Sequence, residues 1–147
     1  MIKMRTLMTA ALIVAAGVFA LSSCKKTDKD PQEKKEKVSV VGSWELSRIE
    51  TKTPQIGDQE VSVYITFTDN AFTLYQKIGL GRYTKFDGSY IFDGSNLSGS
   101  YTGGKAWGPY VATLEGDSMT LTLPDGQERD VYTKIDAVPD TVTSNVY

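Results

Sequence analysis

The sequence contains no histidine and a single cysteine, Cys24. Losing histidine removes the commonest general base and metal ligand. Together the two shortages exclude Ser-His-Asp hydrolysis, Cys-His nucleophiles and His/Cys zinc sites. One thiol also excludes an intramolecular disulfide, so stability must come from the core. Positive charge is scarce as well: the formal net charge is −2, and residues 38–147 carry eight basic against fourteen acidic side chains. That balance argues against nucleic acid as a partner. Past the N-terminus no segment has a convincing helical period. Gly79-Leu80-Gly81, followed by Arg82, opens no helix and so is a turn or bulge, not a phosphate-binding loop. Asp69, Asp87, Asp93, Asp117 and Asp125 stand in turn contexts, where aspartate is favoured for backbone reasons. Asp87, Asp93 and Asn96 lack the spacing of a calcium loop. No catalytic residue, metal site or cofactor is assigned.

What is present begins at the N-terminus. Lys3 and Arg5 precede an apolar stretch from Leu7 to Leu21, and Ser22 and Ser23 lead into Cys24. These are the three parts of a secretory signal. The apolar core is too short for a spanning helix, which needs roughly 20 residues. Leu21-Ser22-Ser23-Cys24 resembles the lipobox of a bacterial lipoprotein. The resemblance implies cleavage after residue 23 and a lipid-modified Cys24 carrying a diacylglycerol thioether and an amide-linked chain of the palmitate type. Two or three chains anchor far more firmly than one, since each buried CH2 contributes about 0.8 kcal/mol. Residues 25–37, KKTDKDPQEKKEK, have no apolar side chain but Pro31. Such a segment cannot bury surface and reads as a disordered, charged tether reaching on the order of 20 Å. Lys25 stands where an inner-membrane retention aspartate would be, so the resemblance implies the outer membrane of a bacterial cell envelope, with the leaflet open.

Residues 38–136 read as one all-β domain, followed by a tail over 137–147. Val61, Val63, Ile65 and Phe67 alternate on one face, and Phe72, Leu74 and Gln76 follow across Asp69-Asn70. In the first strand Trp44 and Leu46, with Arg48 and Glu50, keep the same period. Arg82–Phe86 and Ser89–Phe92 read as separate short strands divided by Asp87-Gly88. Leu97–Thr102, then Tyr110, Ala112 and Leu114, then Met119, Leu121 and Leu123, and finally Arg129–Ile135 complete the series. Turn signals recur about every 8 to 12 residues, the spacing of an antiparallel meander. Eight or nine such strands are expected to close into an up-and-down barrel, which removes open edges.

The opening Val41-Gly42-Ser43-Trp44-Glu45-Leu46 carries a Gly-x-Trp at the head of the first strand, resembling the lipocalin, or calycin, superfamily. Ile65-Thr66-Phe67, Phe72-Thr73-Leu74-Tyr75, Gly88-Ser89-Tyr90, Leu97 to Tyr101 and Leu114 to Leu121 follow in an order similar to the small lipocalin-like lipoproteins common in Bacteroidetes. The resemblance implies an eight-stranded barrel with Trp44 plugging its closed end, a structural role. It also implies a binding module for a small hydrophobic or amphipathic ligand, not an enzyme.

Aromatic residues are the best functional lead. Tyr75, Tyr83, Tyr90, Tyr101, Trp107 and Tyr110 cluster in the middle of the chain and are expected to line the mouth or upper interior of a barrel. A tyrosine offers both a ring and a hydroxyl, which suits amphipathic ligands. Trp107, in the Gly/Pro-rich run 103–109, is expected in an exposed loop as a contact anchor or folded back as a lid. The competing expectation is an envelope interaction protein that docks a protein or glycan through its loops. The interior set Ile65, Phe67, Leu74, Tyr90, Phe92, Leu97, Tyr110, Ala112, Leu114, Met119 and Leu121 bears on the choice, because a filled barrel disfavours a small-molecule cavity.

Overall fold

A computed structural model describes residues 37–52 and 59–147. The signal segment, Cys24 and most of the tether lie outside the described residues. Eight antiparallel strands run in chain order: β1 (Gly42–Thr51), β2 (Val61–Phe67), β3 (Ala71–Ile78), β4 (Thr84–Phe92), β5 (Asn96–Tyr101), β6 (Ala106–Glu115), β7 (Ser118–Thr122) and β8 (Glu128–Ile135). Each pairs with its neighbours in sequence, and β1 pairs with β8 to close the barrel. Closure satisfies every edge within the sheet.

The inward set follows from the alternation. Val63, Ile65, Phe67, Phe72, Leu74, Leu97, Met119 and Leu121 are all buried. Phe92, Tyr110 and Leu114 are partly buried and pack against this core. At the base, Val40 and Trp44 are almost fully buried. The Trp44 indole Nε1 donates to the Val40 carbonyl at 2.8 Å, so the chain ahead of β1 is tied to the residue that plugs the barrel. A buried indole N–H needs such a partner. Phe67, Phe72, Tyr90 and Trp107 stack tilted or edge-on above it, with centroid separations of 4.6 Å for Phe72–Trp107 and 5.0 Å for Phe67–Tyr90. The Tyr90 hydroxyl donates to the Thr68 carbonyl across the base.

Three expectations are corrected. Asp87-Gly88 does not end a strand: β4 runs through it, giving eight strands and not nine. Gly88 is there for close packing, since a Cβ would run into the Ser100 carbonyl and come within 2.6 Å of the Phe72 ring. Asp87 meanwhile accepts from Thr73 Oγ1 at 2.7 Å and pairs with Lys85 at 3.2 Å on the outer wall. The first-strand alternation breaks at Ser47, where the register with β8 slips between Leu46 and Arg48. The bulge turns Ile49 inward, opposite Asp130, and sends Arg48 and Glu50 outside, where they pair at 2.7 Å. Finally, Trp107 is in β6 and only 5% exposed, not in a loop. Gly108 and the cis bond to Pro109 form an extra step between the pairs Gly99–Trp107 and Leu97–Tyr110. That step lets both Trp107 and Tyr110 face inward.

The tail is ordered against the barrel. A single helical turn, α1 (Asp140–Thr143), buries Val142. Beyond it, Tyr83 N–H donates to the Asn145 carbonyl at 2.9 Å and Tyr147 N–H to the Tyr83 carbonyl at 3.1 Å. The result is one parallel bridge between Tyr83 and Val146.

Candidate functional site

The interior is unequal from end to end. The β2–β3, β4–β5 and β6–β7 turns surround the base. The β3–β4, β5–β6 and β7–β8 turns surround the opposite end, the mouth. Near the base the inward side chains are Trp44, Phe67, Phe72, Leu97 and Met119, all under 3% exposed. Towards the mouth, β8 presents Glu128, Asp130 and Tyr132 on one face. Tyr132 pairs with Met119, and Asp130 with Leu121, both core residues. Asp130 is therefore an inward carboxylate in a wall of apolar neighbours.

Its surroundings fix its chemistry. Asp130 Oδ1 is shut off from solvent and has no hydrogen-bond partner among the described residues. Burial, and then the Glu128 charge, push its carboxyl from 3.8 to about 6. Burial, followed by the Asp130, Tyr101 and Glu128 groups, raises the Tyr110 phenol to about 12. Tyr132, nearly encased, is pushed well above the ordinary tyrosine value by burial first, then by Asp130, Tyr110, Tyr101 and Glu128. Glu128, Asp130 and Tyr132 share one face of β8, and the Asp130 and Glu128 charges act on the Tyr110 and Tyr132 phenols. Phe86 and Tyr101, with ring centroids 5.4 Å apart, and Trp107 and Tyr110, 5.2 Å apart, join this group to the packed base, where Tyr101 and Trp107 both contact Phe72.

The six aromatics singled out in the sequence divide three ways. Tyr101, Trp107 and Tyr110 face the interior, Trp107 stacked on Phe72 of the packed base and against Tyr110 above it. Tyr90 belongs to the base. Tyr75 and Tyr83 are outside the barrel. Tyr75 stands on the outer face opposite Tyr64 and Lys85. Tyr83 is buried beneath the tail, bonded to Ser62 Oγ at 3.0 Å, edge-on to Tyr64 and under Lys77 Nζ at 5.2 Å. Trp44 is almost fully buried at the base. Sequence reading missed Asp130 and Tyr132. The signal was available: with Tyr132 inward, a period of two places Asp130 and Glu128 on the same face.

Other acids are committed elsewhere. Asp93 Oδ1 accepts from Ser95 N–H at 2.9 Å and Asn96 N–H at 2.6 Å, and Oδ2 from Asn96 Nδ2 at 2.8 Å. These bonds, the Asn96 side chain first, hold its carboxyl low. Among the described residues no group of three His, Cys, Asp or Glu side chains is placed to hold a metal. Outside the barrel, a groove of about 480 Å3 lies at the base between residues 37–41, Asp69 and the end of β4.

A closed meander of eight strands with a tryptophan-plugged base and a polar, tyrosine-rich mouth defines a small β-barrel binding fold. A family model, the lipocalin-like domain, matches residues 40–121. The chain belongs to the lipocalin-like domain family, a fold that typically binds ligands and is typically not enzymatic. No curated protein and no solved structure matches the sequence significantly.

Proposed function

We propose that the protein is an envelope lipoprotein, anchored in the outer membrane through lipid on Cys24, whose barrel holds a small amphipathic ligand in its upper interior. The observation that carries the ligand assignment is the contrast within the barrel: the base is filled with apolar side chains, while the mouth end gathers Asp130, Glu128 and three tyrosines. With the base filled, the ligand would be compact and not long-chained, with its apolar part on the aromatic layer and its polar part at the carboxylates. The lipobox-like run supports the anchor. Native mass spectrometry of the protein released from cells tests the binding reading, with a co-purified small molecule as the expected result. The Cys24→Ser variant tests the anchor and is expected to leave the membrane fraction and lose metabolic acyl labelling.

A second reading, docking of an envelope protein or glycan through barrel loops, is favoured by Leu80. It is fully exposed at the tip of the β3–β4 turn on the mouth rim, with Ile78 beside it more than half exposed. Isolated apolar residues are ordinary on surfaces. A partner captured by the native protein and lost on Leu80→Ser would favour this reading.

A further inference from the structure

Three aliphatic side chains are left outside the barrel at its base. Ile91 is 75% exposed, Val38 50% and Val41 42%. Single apolar residues on a surface are ordinary. These three stand together, lining the groove of about 480 Å3 beside the end of β4. The fold cannot turn them inward. Val40 is buried at the base, and its carbonyl is held by the Trp44 indole at 2.8 Å. Val41 N–H donates to Ser39 Oγ at 3.2 Å. On β4 a period of two sends Tyr90 and Phe92 inside and Ile91 out, across from Ser98. Among the described residues, the charged side chains lining the groove are Lys37 and Asp69, which balance each other. A smaller groove of about 230 Å3 continues past Ile91 over Ser89, Ser98 and Ser100 and adds no charge. Residues 37–41 run straight on from the tether, and Cys24 stands thirteen residues ahead of Lys37.

We propose that this base face seats on the lipid bilayer, with Val38, Val41 and Ile91 dipping into the boundary between headgroups and acyl chains. This rests on the reading of Cys24 as a lipid anchor and names the face that meets the membrane. The groove is lined by the residues that continue into the tether, and a tether of on the order of 20 Å keeps them within reach of the surface. Weak partitioning suffices there, because a short flexible link supplies the surface at high effective concentration. Exposed valine and isoleucine are poor anchors for a protein partner, whose hot spots favour Trp, Tyr and Arg. A fluid acyl boundary accepts aliphatic groups of any shape. The exposed Ile78 and Leu80 belong to the opposite rim and stay in water when the base is seated.

Fluorescence quenching decides it in the lipidated protein, purified from the membrane fraction and reconstituted into vesicles of phosphatidylethanolamine and phosphatidylglycerol. With Cys24, the chain's one cysteine, taken up by lipid, an introduced thiol is the single labelling site. A nitrobenzoxadiazole dye is attached at Ser95→Cys, in the turn that follows Phe92 of the groove, or at Leu80→Cys on the mouth rim. Lipid carrying a nitroxide near the headgroup is expected to quench the dye at 95 at least about threefold more than the dye at 80, since the boundary is only about 5–10 Å deep. Adding Val38→Ser and Ile91→Ser, both at exposed positions, is expected to bring quenching at 95 down to that at 80. That loss separates the aliphatic contact from the nearness of the base to the tether. Equal quenching at 95 and 80, or quenching at 95 that survives the double substitution, overturns the seating and leaves the anchor standing. Equal quenching in vesicles, with the dye at 95 shielded only in native membranes, assigns the face to an envelope protein and also overturns the seating. Protein that carries no acyl mass and does not float with the vesicles overturns both.

Discussion

Trp44 and Asp130 are inward residues of adjacent strands, and each buries a polar atom. At the base, the Trp44 N–H has its acceptor 2.8 Å away in the same short segment. At the mouth, Asp130 Oδ1 has no donor among the described residues. Around Trp44 the side chains interlock and the chain itself crosses beneath; around Asp130 they are phenols and a second acid. The base is complete as folded. The mouth has an unmet electrostatic demand, and stability there has been exchanged for something else. Departures of this kind from full local satisfaction concentrate at functional sites.

The comparison can be broken most directly from the base. Trp44→Ala removes the plug and its hydrogen bond, and a loss of about 3–5 kcal/mol in unfolding free energy is expected by denaturant titration. Trp107→Ala should fall in the same range, because its ring contacts Phe67, Phe72 and Tyr110. A small loss there would return Trp107 to the surface position expected from the sequence. Next comes Gly88→Ala, whose methyl has to displace backbone on β5 and the Phe72 ring. A loss of about 2–3 kcal/mol is expected, from overpacking.

The mouth should answer in the opposite direction. Asp130 holds its proton more tightly when folded, about 6 against 3.8. Its contribution is therefore full below the unfolded value and is lost as pH rises through 6. Since the side chain is only half-buried, solvent screening reduces the full linkage value to about 1–2 kcal/mol between pH 4 and 7. Asp130→Asn is expected to be more stable than wild type by about 1 kcal/mol at pH 7.5 and equal to it near pH 4, as read from thermal melts across pH. Asp87 and Asp93, whose carboxyls are lowered by hydrogen bonds first to Thr73 and Asn96 respectively, act in the opposite sense. They lose stability as pH falls through their depressed values, equally in both proteins, so the difference isolates Asp130. The smallest effect belongs to the outer wall: Asp87→Asn breaks the exposed pair with Lys85 and is expected to cost at most about 0.5 kcal/mol.

Much of the fold was legible because a period of two is a strong signal when one face is buried. Val61 to Phe67 and Met119 to Leu121 read directly as barrel staves. The failures have local causes. Gly88 has turn composition, yet it sits mid-strand because the sheet and the Phe72 ring approach too closely for a side chain. Gly108-Pro109 likewise imitates a loop, but the chain uses it as a bulge that re-aims Trp107 and Tyr110. Ser47 shifts the phase of β1 by one residue, which no alternation count can register. The site was only half legible. Tyr101, Trp107 and Tyr110 were three of the six aromatics singled out, whereas Asp130 was overlooked because it stands within a strand and not among the turn aspartates. Tyr83 shows the converse: its ring is buried, but by the tail on the outer wall.

Eight is an even number, and in an up-and-down barrel parity decides where the chain comes in and goes out. β1 begins and β8 ends at the same rim, beside Trp44. The tail then travels along the exterior to Tyr83. Among the described residues, neither chain end crosses the opposite opening. The mouth rim is thus bordered by strand-to-strand turns, while both ends of the barrel's chain leave from the Trp44 rim.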